Sequence, residues 1–199
     1  MIRRLLASLW RDEQGAALTE FALIAPVLLI TLLGLFDLAY NMYTNEMLQG
    51  AIQQAARNST IEGAASSTAQ VDAIVTRAVQ AVGPQAQLTF NRASYTNFTE
   101  ISRPEDYTDV NRNGTCDGGE PFEDANGNGS WDLDPGQSGF GGARDAVLYT
   151  VTVRYRRPFP VAALIPGQSE TFELRSATVL RNQPYGTSEQ AAPAVGACS

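Results

Sequence analysis

The stretch GAALTEFALIAPVLLITLLGLFDL, Gly15 to Leu38, holds one apolar run from Phe21 to Phe36 with a carboxylate at either end, Glu20 and Asp37. Counted from Ala16 to Phe36, its 21 residues make roughly 31 Å of α-helix, about one bilayer core. Three basic residues (Arg3, Arg4, Arg11) precede it, and about 160 mostly polar residues follow. Basic residues stay on the cytoplasmic side, so the pattern predicts a single span with a short tail inside and the folded part outside. A cleaved signal peptide is the competing reading. The run is long for one, and Gly34-Leu-Phe36-Asp37-Leu offers no small-x-small cleavage site.

The helical pattern continues past Asp37. Tyr40, Tyr43, Met47, Leu48, Ala51, Ile52, Ala55 and Ala56 recur at spacings of three and four, with Asn41, Asn45, Glu46, Gln49, Gln53 and Arg57 between them. This predicts one helix from about Ala16 to Arg57, apolar all round in its first half and amphipathic in its second. Gly63 with Ser66-Ser67 is its expected stop, and Pro26 its expected kink. A second helix is predicted over Val71–Val82, with Ile74, Val75, Ala78, Val79 and Val82 on one face and Gly83-Pro84 ending it.

Three stretches alternate as strands do: Gln87–Tyr95, Asp145–Tyr155 and Thr171–Arg181. In the middle one Val147, Tyr149, Val151, Val153 and Tyr155 share a face. The expected fold is α+β and pilin-like: a long N-terminal helix, a second helix and a small antiparallel sheet packed by one face on the helices. Between the last two strands, Pro158-Phe-Pro-Val-Ala-Ala-Leu-Ile-Pro166 reads as an apolar loop that covers the core or rests on a membrane or partner.

Charge is unevenly placed. The formal net charge is −7, and Glu100 to Asp145 carries eleven acids against Arg103, Arg112 and Arg144. Such a segment repels nucleic acid and attracts divalent cations. The chain has no histidine, which removes His-based triads, the common zinc patterns and His acid–base work. With the cysteines isolated as well, no catalytic set assembles, so the expectation is a protein that is not an enzyme. Cys116 and Cys198 form no CxxC motif, and in an exported chain they can pair with each other or stay apart.

The insert between the first two strands contains Asp109-Val-Asn111-Arg-Asn113-Gly114-Thr115-Cys-Asp117-Gly-Gly-Glu120. This matches the twelve-residue calcium loop: oxygen side chains at positions 1, 3, 5 and 9, glycine at 6, the Thr115 carbonyl at 7 and glutamate at 12. A second copy begins fifteen residues later, with Asp124, Asn126, Asn128, Gly129, Ser130 and Asp132 in register, but position 12 is Pro135. Asp134, one place early, substitutes there, or a ligand comes from the neighbouring loop. One calcium ion is expected, with room for a second. The loops resemble those of dockerins and thrombospondin type 3 repeats, in the loops alone. Phe122 and Trp131 read as packing residues among the ligands. The competing reading is an acidic, solvated linker.

The sequence Gly15-Ala16-Ala17-Leu18-Thr19-Glu20-Phe21, running into the apolar helix, is similar to the processing site of type IV pilin-like proteins. The wider stretch from Gly15 to Arg57, and the ending SATVLRNQPYG, resemble the TadE-like minor pseudopilins of Tad (Flp) pilus systems. The resemblance is dense over about 45 residues and looser elsewhere. It implies a bacterial inner-membrane precursor, cytoplasmic at its N-terminus and periplasmic beyond the span. A prepilin peptidase would cut after Gly15, and Ala16 would become the first residue. Glu20, then the fifth, would serve assembly with other pilin or pseudopilin subunits. There is a physical reason for such a residue: a carboxylate in hydrocarbon persists where it meets a partner, here the free amine of Ala16 on a neighbour. An interfacial carboxylate near the end of an ordinary anchor is the plainer reading of Glu20. Asp37 reads as the outer membrane boundary.

The resulting division is a leader over residues 1–15, a span over 16–37, an outward domain over 38–184 with its insert at 105–140, and a flexible tail over 185–199 unless Cys198 ties it down. The expected role is a calcium-stiffened minor pilin-like subunit in pilus assembly and surface adhesion. The alternative is a membrane-anchored periplasmic calcium-binding or adhesive module that never enters a pilus.

Overall fold

The computed structural model describes residues 14–61, 68–139, 141–142, 145–181 and 193–199. Helix α1 spans Gln14–Ile61 with Pro26 inside it. In chain order follow α2 (Thr68–Val82), β1 (Gln87–Tyr95), β2 (Pro121–Asp124), β3 (Gln137–Ser138), β4 (Ala146–Arg156), α3 (Val161–Leu164), β5 (Thr171–Arg181) and β6 (Ala194–Ala197). The chain is α+β, as its periodicities predict. Helix α1 starts two residues before the expected bound and ends four after it. The expected stop at Gly63 and Ser66-Ser67 lies outside the described residues.

Burial divides α1 where its composition changes. From Ala17 to Phe36 no side chain is buried, and Leu23 keeps 80% of its surface open. From Asp37 onward a stripe of Asp37, Asn41, Thr44, Leu48, Ala51 and Ala55 is buried, at the three- and four-residue steps of one helical face. The chain separates into two compact units.

Of the described residues, the first unit takes 14–43 and 156–172. Its turn of polypeptide after β4 carries the short helix α3, closed by the Ile165 amide donating to the Val161 carbonyl at 2.8 Å. Arg157 forms an ion pair with Asp37, and both side chains are buried, at 10% and 6% exposure. Asn41 Nδ2 donates to the same carboxylate at 3.0 Å. The Arg157 guanidinium lies over the Phe172 ring, 4.7 Å from its centroid. Phe36 stacks on Phe159 with ring centroids 6.0 Å apart.

Of the described residues, the second unit takes those within 44–155 and 173–199. Its main sheet has the order β3-β1-β4-β5. The β1–β4 pair is antiparallel, with Phe90 opposite Val151, and β3 pairs antiparallel with the far end of β1. Val147, Tyr149, Val151, Val153 and Tyr155 are all buried, as the alternation in β4 predicts. Leu48, Ile52 and Ala55 of α1 and Val71, Val75 and Val79 of α2 supply the helical share of the core. Asp72 joins helix to sheet: it pairs with Arg92 and accepts the Tyr149 hydroxyl at 2.7 Å. Burial, and then the Asp72 carboxylate, push the Tyr149 phenol well above its ordinary value.

The C-terminus departs from expectation. Residues 194–197, read from sequence as part of a flexible tail, form β6 and pair antiparallel with β2, Phe122 opposite Gly196. Cys198 is disulfide-bonded to Cys116, 82 residues back, with Cα atoms 5.4 Å apart. Two backbone bonds flank the bridge, from the Gly119 amide to the Cys198 carbonyl and from the Cys198 amide to the Glu120 carbonyl. The insert therefore has a sheet, a crosslink and a buried Phe122 of its own. A Cβ added at Gly196 would collide with the Phe122 ring. Gly196→Ala should cost about 1–3 kcal/mol, the usual penalty for overpacking. Faster amide exchange at Phe122, whose amide faces β6, with β4 unaffected, is the readout.

Candidate functional site

The two acidic loops repeat one geometry. In the first, Asp109 accepts the amides of Asn113 at 3.1 Å and Gly114 at 2.9 Å. In the second, Asp124 accepts those of Asn128 at 3.1 Å and Gly129 at 2.9 Å. The glycine at position 6 has φ of +78° in Gly114 and +79° in Gly129, a left-handed turn that a side chain would strain. Asn111 and Asn113 each donate Nδ2 to Asp117, at 2.9 and 2.7 Å. Asn126 and Asn128 do the same to Asp132, at 2.8 and 2.6 Å. The Asn113 oxygen accepts the Thr115 amide, and the Asn128 oxygen the Ser130 amide.

Position 12 is where the structure adds a residue that sequence reading missed. Glu120 closes the first loop: Oε1 accepts the Val110 amide at 2.7 Å and Oε2 the Asp117 amide at 3.4 Å. Glu105 closes the second in the same way. Its Oε1 accepts the Ala125 amide at 2.8 Å, and its Oε2 accepts the Asp132 amide at 2.9 Å. These are loop positions 2 and 9 in both cases. Glu105 and Glu120 are buried to similar degrees, 4% and 5% exposed. Asp134 does not take this place. It accepts the Gly136 amide at 3.2 Å, and with burial it raises the Tyr95 phenol above its ordinary value.

A short antiparallel pairing produces the exchange. Tyr107 bridges Phe122, the Thr108 amide donates to the Pro121 carbonyl at 2.9 Å, and the Glu123 amide donates to the Asp106 carbonyl at 2.8 Å. The segment before each loop thus lies beside the segment before the other. Trp131 locks Glu105 in place, its indole donating to the Glu105 carbonyl at 2.8 Å while Tyr107 meets it edge-on at 5.6 Å. Desolvation, followed by the charges of Asp109, Glu120 and Asp117, raises the Tyr107 phenol.

Among the described residues no three Asp, Glu, His or Cys side chains converge closely enough to hold a metal ion. Asparagine amides stand between the carboxylates instead. The donor set is nonetheless all oxygen, which suits a hard cation. Turning the Asn111 and Asn113 amides over would present Oδ1 where Nδ2 now stands.

At the other end of the chain, α1 begins at Gln14, so Gly15, Ala16 and Glu20 lie on its first turns. Glu20 is exposed on a helix otherwise apolar to Phe36. That half of α1 is long and apolar enough to cross a membrane. Residues 15–57 match the family model described as TadE-like protein. No curated protein and no solved structure matches the chain. The TadE-like segment covers the apolar half of α1 and its buried stripe, and ends four residues before the helix does. The acidic loops fall outside it.

Proposed function

We propose that this chain is a minor pilin-like structural subunit of a Tad (Flp) pilus, anchored in the inner membrane by α1. In this reading the N-terminus is cytoplasmic, the remainder periplasmic, and a prepilin peptidase cuts after Gly15. The TadE-like match over residues 15–57 carries the proposal, because it coincides with the helix whose apolar half has no buried side chain among the described residues. A helix apolar all round is stable in lipid or among other such helices. A pilus subunit occupies both in turn. Glu20 is the group we assign to subunit assembly, pairing with the Ala16 amine of a neighbour, since a carboxylate in hydrocarbon needs a partner.

The outward domain has a structural and adhesive role, and we assign calcium to its two loops. Asp109, Asn111, Asn113, Thr115, Asp117 and Glu120 would hold one ion. Asp124, Asn126, Asn128, Ser130, Asp132 and Glu105 would hold the other. Support comes from the repeated register and from the buried glutamate that closes each loop. The ion would draw together carboxylates that asparagine amides now separate, and the Cys116–Cys198 bridge keeps the loops folded beside β6.

Mass spectrometry of the protein from its own cell tests the first part, with a mature chain starting at Ala16 as the expected result. Glu20→Ala should leave membrane insertion intact and remove the subunit from sheared pili. A chain that retains residues 1–15, or a variant that assembles normally, would overturn it.

A further inference from the structure

We propose that the tip between β4 and β5, residues 158–166, seats in the phospholipid interface at the outer end of the span. This rests on the reading of the apolar half of α1 as a membrane anchor. The tip has no polar side chain. Val161 is its buried residue, while Leu164 keeps 43% of its surface and Pro158, Pro160, Ala163 and Pro166 are exposed. A run of this kind on a surface marks an interaction site rather than an ordinary scatter of apolar residues.

Depth identifies the occupant. Phe159 stacks on Phe36, the last apolar residue of the run in α1. Arg157, beside the tip, grips Asp37, the next residue of the helix. Both contacts hold the tip at the level where the span ends. The headgroup layer adds about 5–8 Å on each side of the hydrocarbon, roughly one to one and a half helical turns. A tip held at Phe36 falls inside that layer.

Its chemistry fits a place poor in water. Pro158, Pro160 and Pro166 have no amide hydrogen to satisfy. The amides of Val161, Ala163 and Ile165 are bonded within the tip, to the carbonyls of Phe159, Pro160 and Val161. The Asp37–Arg157 pair presents no net charge to the lipid. Arg156, 77% exposed and 3.5 Å from the equally open Glu170, stands at the base of the tip and can exchange that exposed ion pair for a lipid phosphate.

The test uses the full chain, with Cys116–Cys198 oxidised, in phosphatidylcholine vesicles. An environment-sensitive fluorophore is placed on Leu164→Cys, on Ala163→Cys, or on Leu28→Cys within the span. Lipids carrying a nitroxide near the headgroup should quench the label at both tip positions at least twofold, and deeper nitroxides should quench Leu28→Cys. If Leu28→Cys is quenched and both tip positions are not, the tip proposal fails while the anchor stands. If Leu28→Cys is not quenched, the anchor reading itself fails. A tip label that responds to protein density but not to lipid quenchers would place a second copy of the chain there and overturn the proposal.

Discussion

A Glu105→Gln chain should bind one calcium ion where the unaltered chain should bind two. Glu105 lies nineteen residues before Asp124, yet its carboxylate bonds loop positions 2 and 9 of the second loop, as Glu120 does in the first. The amide isostere keeps the shape and can still accept one of the two backbone bonds, so the loop should fold. It lacks the negative charge and the two-oxygen grip that a calcium loop takes from position 12. Titration calorimetry on the full chain should therefore fall from two sites to one. The expected range is on the order of 10⁻⁴–10⁻³ M, that of extracellular modules. Glu120→Gln should remove the other site, and Asp134→Asn should leave both. Glu105→Ala adds a second effect: it strips the Ala125 and Asp132 amides of a buried acceptor, at a cost of about 1–3 kcal/mol. Two sites persisting in Glu105→Gln, or one lost in Asp134→Asn, would refute the assignment. No heat at millimolar calcium in the unaltered chain would remove calcium from the proposal altogether.

The contrast between Glu105 and β4 explains what sequence could reveal. The face of Val147, Tyr149, Val151, Val153 and Tyr155 is a local pattern, since strand period alone sends alternate residues to one side. The same holds for Val71, Val75 and Val79 on α2 and for the change of character in α1 at Asp37. Glu105 is not local to the loop it closes. Its signal was present but indirect: it precedes Glu120 by fifteen residues, the same offset that separates Asp109 from Asp124. Only the antiparallel pairing through Tyr107 and Phe122 converts that offset into an exchange of glutamates. Strand β6 was illegible for a related reason. Its four residues, Ala-Val-Gly-Ala, are too short and too small to alternate, and β2 and Cys116 define it from far along the chain.

Asp37 read as a boundary mark because its partner lies 120 residues downstream, and Asp37→Ala is expected to destabilise the first unit by about 3–5 kcal/mol. An exposed ion pair would be worth at most about 1 kcal/mol. This pair is different because both side chains are buried, and removing the carboxylate leaves the Arg157 guanidinium without its counter-charge. The bond from Arg157 Nε to the Ser169 carbonyl, at 3.0 Å, and the Phe172 ring hold the guanidinium in place, so it cannot simply swing out to water. Faster amide exchange across residues 156–172, in the full chain in detergent micelles, should locate the loss. The double variant Asp37→Ala with Arg157→Met removes both charges and keeps the stem that packs on Phe172, and it should recover most of the stability. A single variant losing less than about 1 kcal/mol would mean that the pair behaves as an exposed one. The double variant separates two meanings of the pair. If it restores stability but the tip at residues 158–166 no longer meets lipid, the ion pair sets the position of the tip as well as its fold. If contact with lipid returns too, the apolar contacts, Phe36 on Phe159 above all, are enough to hold it there.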